Sequence, residues 1–147
     1  MCMLARQVAI DTIQKYQTRN PFDIIRGMKN VILVSAPLSD IRGFYQYFKR
    51  NYIIYIDENL SEHEKVFVCA HELGHVLIHP KANHIYMDAI TNFNTDKFEI
   101  EANKFALELL ISDEEVLEYS TYSEEQLARL WGYSVKLVQL RLQNEKH

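Results

Sequence analysis

His71-Glu72-Leu73-Gly74-His75 sits inside a long apolar run and carries the most informative spacing in the chain. An α-helix advances about 100° per residue, so side chains four apart lie about 40° apart around its axis. On a helix, His71 and His75 therefore aim two imidazoles at one ion from a single face. Glu72 falls about 100° round from His71, beside those ligands but not in line with them. That position suits a carboxylate that takes a proton from a water on the metal without binding the ion itself. Five residues of this kind also arise by accident, so their surroundings must decide.

The flanks favour a buried helix. Ser61 is a good N-cap, with Glu62 and Glu64 in the first turn where negative charge suits the helix dipole. From there Val66, Phe67, Val68, Ala70, Leu73, Val76, Leu77 and Ile78 place apolar residues on most sides. Two histidines and a glutamate on such a helix need a partner, because unpaired polar groups in a core are costly. A metal supplies one. Gly74 costs about 1 kcal/mol relative to alanine in mid-helix, which marks a close approach by another element. His79-Pro80 ends the helix; His79 continues the histidine row but is expected to interact with the last free carbonyls, outside the metal set.

A second helix is expected from about Asp96 to Ile111. With Glu99 at zero on its wheel, Ala102, Asn103, Ala106 and Leu110 fall within about 60° of it. Lys97, Glu101, Lys104 and Glu108 lie opposite as a ladder of alternating charge, the pattern of a solvated face. Glu101 is therefore expected in water and Glu99 inward, with the small Ala102 and Ala106 letting this helix approach the first. A catalytic zinc takes three protein ligands and keeps a fourth position for water, and His71, His75 and Glu99 make such a set. A three-histidine layout would need glycine at position 78 and histidine at position 81, where Ile78 and Lys81 stand. Asn103, one turn beyond Glu99, is placed to hydrogen-bond the outer nitrogen of a ligand histidine.

The rest of the chain reads as scaffold. Its 147 residues fit one domain, 1–147, and 48% hydrophobic with 24% charged residues describe a soluble globular protein. No apolar run reaches membrane-spanning length, and no secretory signal is visible at the N-terminus. Cys2 and Cys69 make no disulfide framework, which points to the cytoplasm. A net charge of −4 argues against a nucleic-acid binder working through bulk electrostatics. An amphipathic helix is expected over 3–16 with Leu4, Val8, Ile13 and Tyr16 inward, then a short helix opened by Asn20-Pro21. Val31 to Ser35 reads as a strand, and Arg42 to Phe48 with Tyr52 to Ile56 as an antiparallel hairpin whose edge could receive a peptide. The expected class is α+β, with a small antiparallel sheet of about three strands packed against helices.

Residues 80–95 are polar and irregular, a candidate rim over the site, with His84 and Tyr86 as open alternatives for an oxyanion donor. Ser112 and the capping box Ser123–Gln126 open two further helices, and Gly132 and Ser134 separate the second from a last one. The segment 123–147 has the look of a helix-turn-helix. From Ser123 onward, however, four lysines and arginines face three glutamates, so packing or protein docking is favoured over DNA reading.

Two segments together resemble the ImmA/IrrE family of bacterial and phage metallopeptidases. They are Ala70-His71-Glu72-Leu73-Gly74-His75 with His79, and Glu99-Ile100-Glu101-Ala102-Asn103-Lys104-Phe105-Ala106 leading into Leu109-Leu110. Ser112 stands where members often carry proline, and Asp57 where asparagine is frequent; neither touches the proposed metal set. The resemblance implies a zincin-like (gluzincin-type) endopeptidase with Zn²⁺ on His71, His75 and Glu99, and Glu72 as the catalytic base. It also implies a protein substrate, a helix-turn-helix repressor that silences a prophage, integrative element or stress regulon. The alternative of another class is a non-catalytic zinc-binding antirepressor that acts by stoichiometric docking.

Overall fold

The computed structural model describes residues 3–79, 86–89 and 97–144. Helices α1 (Met3–Tyr16) and α2 (Pro21–Arg26) precede strands β1 (Val31–Ala36), β2 (Ile41–Phe48) and β3 (Asn51–Asp57). Helix α3 (Glu62–Ile78), strand β4 (Tyr86–Ala89) and helix α4 (Lys97–Leu110) follow, then α5 (Asp113–Glu118), α6 (Glu124–Trp131) and α7 (Val135–Asn144). The class is α+β, as expected.

The sheet departs from the expected antiparallel three. It has four strands in the order β1-β3-β2-β4, and β1 runs parallel to β3 while β2 is antiparallel to both β3 and β4. The β2–β3 hairpin is therefore correct, but β3 lies between β1 and β2. Residues 37–40 bridge the gap by crossing the end of β3. Two strand spacings make roughly 10 Å, within reach of four extended residues. Asp57 pins that crossing: its Oδ1 accepts the backbone N–H of Leu38 at 3.1 Å and of Asn59 at 3.3 Å. Strand β4 corrects the reading of 80–95 as wholly irregular. His84 and the remainder of that segment lie outside the described residues, as does the side chain of Tyr86.

Alternation along β3 buries Tyr52, Ile54 and Ile56, and these face α3 together with Tyr45 of β2. Gly43 allows the close approach. A Cβ there would come within 2.7 Å of both the Tyr55 carbonyl oxygen and Val68 Cγ1 of α3, so no larger residue fits without moving backbone. The expected caps form: Ser61 and Glu64 make a capping box on α3, Ser123 and Gln126 another on α6, and Asn20 and Ser112 cap α2 and α5. Gly132 ends α6 in the left-handed conformation at φ 77°, where a side chain would be strained and would also meet His63.

Two apolar cores share α4. Phe105, Ala106 and Leu109 join the sheet, α1, α2 and α3, whereas Leu107 and Ile111 pack with Leu127, Trp131, Val138 and Leu140. Helix α1 turns Val8, Ile13 and Tyr16 toward the core as expected, but not Leu4. Ala5, Ala9 and Thr12 are buried and Leu4 is 53% exposed, because small residues let α1 lie close along α4. The solvated-ladder reading of α4 fails at Glu108. That carboxylate is buried, bonded by Arg6 Nη1 of α1 at 2.8 Å and 3.4 Å from Arg141 Nη1 of α7. No helix among the described residues is long and apolar enough to cross a membrane.

Candidate metal centre

Helix α3 presents His71, Glu72 and His75 inside the protein, all three buried. Helix α4 packs directly against it. A Cβ on Gly74 would stand 3.0–3.2 Å from the Phe105 side chain, the close approach that a glycine in mid-helix announces. Ala102 and Ala106, fully buried, keep the two axes near one another. The consequence is that Glu99, in the first turn of α4, reaches both histidines. His71 Nε2 lies 3.1 Å from Glu99 Oε1, and His75 Nε2 lies 3.0 Å from Glu99 Oε2. One candidate ligand atom from each residue lies within 4.8 Å of the others.

The spacing fits a tetrahedral ion. Ligand atoms at about 2.0–2.2 Å from zinc are separated from one another by about 3.3 Å, close to what the two pairs show. The hydrogen bonding fits it as well. His71 Nδ1 is 2.7 Å from Asn103 Oδ1, an oxygen that only accepts, so the ring carries its proton on Nδ1. A neutral His71 then turns the lone pair of Nε2 toward the Glu99 carboxylate. Two lone pairs face each other across 3.1 Å, an arrangement that a cation between them resolves. Asn103 thus occupies the orienting place its position on the wheel gives it.

Burial alone would raise the Glu99 carboxyl, but without a metal, when the rings carry a proton on Nε2, hydrogen bonds and charge from His71 and His75 outweigh it and hold the group down to about 2. It is a carboxylate at any working pH. Tyr45 of β2, buried, stacks on His75 with ring centroids 5.5 Å apart. Burial pushes its hydroxyl up to about 12, helped by the negative charge of Glu72 and Glu99 nearby. The phenol therefore stays protonated beside the site.

Sequence reasoning missed Tyr45, which looks like any inward tyrosine of an alternating strand. It also misplaced two residues. His79 does not turn to the helix carbonyls: its Nδ1 is 3.3 Å from His75 Nδ1 and its Nε2 is 2.8 Å from Glu101 Oε1. Glu101, expected in water, has only 17% of its side chain exposed because it meets His79. The histidine row at spacing four was the available signal for His79; nothing in the α4 wheel marks Glu101.

The chain is similar to known proteins over most of its length. The family model described as the IrrE N-terminal-like domain, Peptidase_M78, matches residues 29–143. "Uncharacterized immunity region protein 2" of Bacillus phage phi105 is 40% identical over 131 residues, 88% of this chain and 83% of the phage protein. "Metallopeptidase ImmA" of Bacillus subtilis (strain 168) is 34% identical over 122 residues, 79% of this chain and 70% of that protein. The matched span takes in the sheet, both helices that carry the histidine–carboxylate cluster and the helices after them. The chain accordingly belongs to the ImmA/IrrE family, with a metallopeptidase-type function.

Proposed function

We propose that this protein is a zinc-dependent endopeptidase of zincin-like (gluzincin) type, acting inside the cell on a DNA-binding repressor. The observation that carries the reading is the meeting of His71 Nε2, His75 Nε2 and the Glu99 carboxylate, with Glu72 buried alongside on the same helix. His71, His75 and Glu99 are the metal ligands. Zn²⁺ held by two neutral imidazoles and a carboxylate supplies Lewis acidity, bringing the pKa of water toward neutrality and polarising a carbonyl. Glu72 is the general base: its carboxylate accepts the proton of the attacking water and delivers it to the leaving amide nitrogen. Asn103 fixes the tautomer of His71 so that Nε2 remains a ligand.

The substrate backbone is read as an extended strand on the sheet edge. Strand β4 is the terminal strand of the described sheet, and Tyr86 pairs in register with Tyr45, whose ring covers His75. A peptide added to that edge would pass the site by main-chain hydrogen bonding. The choice of a repressor as target rests on the family and on the phage relative's name as an immunity region protein. Residues 1–147 are read as one domain with 123–147 as a helical extension. Within that extension Arg141 is buried against α4 and α5, so it is not available to phosphate.

Incubation with excess repressor encoded beside the gene, with and without a chelator, tests this. Intact-mass measurement should show two complementary fragments, progressive clearance of the excess, and no cleavage once zinc is stripped. A reaction that stops at a fixed ratio with intact chains would replace the peptidase by a stoichiometric antirepressor.

A further inference from the structure

Helix α4 does more than donate Glu99. The second ligand histidine, His75, has its outer nitrogen 3.3 Å from His79 Nδ1, and the far nitrogen of His79 is 2.8 Å from Glu101 Oε1. A carboxylate only accepts, so the His79 proton sits on Nε2. A neutral His79 then offers a lone pair at Nδ1, and the proton between the two rings belongs to His75 Nδ1. With a cation between His75 and Glu99, that leaves His75 Nε2 bare, aimed at Glu99 Oε2 3.0 Å away. Each proton in the row is fixed by the one before it, starting from Glu101. The side chains of His79 and Glu101 are 9% and 17% exposed, so water competes weakly for these bonds. The Phe98 ring, 4.2 Å from that of His79 between centroids, holds it in place.

We infer that His79 and Glu101 are positioning residues which, through two successive hydrogen bonds, hold His75 in the tautomer and orientation that present Nε2 to the metal. This rests on the metal reading above and extends it. The same helix then sets both histidines: Asn103 acts directly on His71, and Glu101 acts on His75 through His79. The two arms differ in charge. Asn103 is a neutral acceptor, whereas Glu101 places a carboxylate at the end of a two-bond row, which raises the basicity of His75 as a ligand. A tie that merely held α3 to α4 would not move metal affinity or ring tautomers.

The test is zinc affinity by competition with a chromophoric chelator, on wild type, Glu101→Ala, Glu101→Gln, His79→Phe and His75→Ala. Glu101→Ala and His79→Phe should bind zinc about 10–100-fold more weakly. Glu101→Gln, whose amide oxygen still accepts from Nε2–H, should recover most of that loss. In nitrogen-15 spectra of the histidine-labelled, zinc-loaded protein the Nδ1–H of His75 should be held in a hydrogen bond in wild type and Glu101→Gln, and should exchange faster with water in Glu101→Ala. Unfolding midpoints of the metal-free variants identify any that fail to fold, and Glu101→Gln keeps the helix contact intact. Wild-type affinity in Glu101→Ala, together with lost binding in His75→Ala, would overturn this inference and leave the metal site standing. Failure of the wild type to take up zinc would overturn both.

Discussion

Glu72→Gln is expected to lower cleavage of the protein substrate by about 10²–10⁴-fold, the usual contribution of a positioned general base, while binding zinc as the wild type does. The two halves of that expectation come from different features. Glu72 is not among the residues whose ligand atoms meet, so its loss removes no ligand. It is fully buried, on the same helix as both histidines and with its stem against Gly43 of β2, where an amide of equal size can replace it. An amide has no basic oxygen at neutral pH, so the proton of the attacking water has no acceptor. Fragment yield by intact mass and zinc content by elemental analysis on the same sample check both halves. Cleavage at the wild-type rate would remove Glu72 from the mechanism; loss of zinc would make it a ligand.

The second large effect concerns stability. Arg141→Ala should cost about 3–5 kcal/mol in urea unfolding, the range for breaking a buried ion pair from one side. Arg141 has no exposed surface, and its Nε and Nη2 donate to the Ile111 carbonyl just past α4 at 3.1 and 2.9 Å. Nη2 also reaches Asp113 at 2.8 Å, and Nη1 lies 3.4 Å from Glu108. Arg6 binds the same two acids from α1, so four charged residues join α1, α4, α5 and α7. Alanine leaves buried acceptors short of a donor and opens a cavity where a fully buried side chain stood. Because this cluster seats the C-terminal helices on the helix that carries Glu99, the variant should also bind zinc less tightly when heated. A loss under about 1 kcal/mol, the size of a surface pair, would contradict the account.

Much of the site was legible because helical spacing is rigid. Residues four apart share a face wherever the helix lies, so the pairing of His71 with His75 and the inward turn of Glu99 follow from position alone. Caps were legible for a similar reason: Ser61, Ser112 and Ser123 bond to backbone within three residues, which no tertiary contact needs to arrange. What escaped depends on neighbours distant in sequence. Alternation in β1, β2 and β3 shows which side chains face the core but not which strand lies beside which, so the insertion of β3 between β1 and β2 left no trace. The wheel of α4 groups Lys97, Glu101, Lys104 and Glu108, yet a charged face is solvated only where nothing covers it. Arg6 and Arg141 cover Glu108, and His79 meets Glu101. Helix α1 shows the same limit, since its alanines rather than its leucine face α4.

The central claim is that one zinc ion is shared by two histidines of α3 and one carboxylate of α4. Anomalous diffraction at the zinc edge from crystals grown with the metal addresses it directly. The account predicts a single strong peak about 2.0–2.2 Å from His71 Nε2, His75 Nε2 and a carboxylate oxygen of Glu99. A peak that leaves Glu99 beyond coordination reach, or zinc bound elsewhere with the two rings unligated, would contradict it.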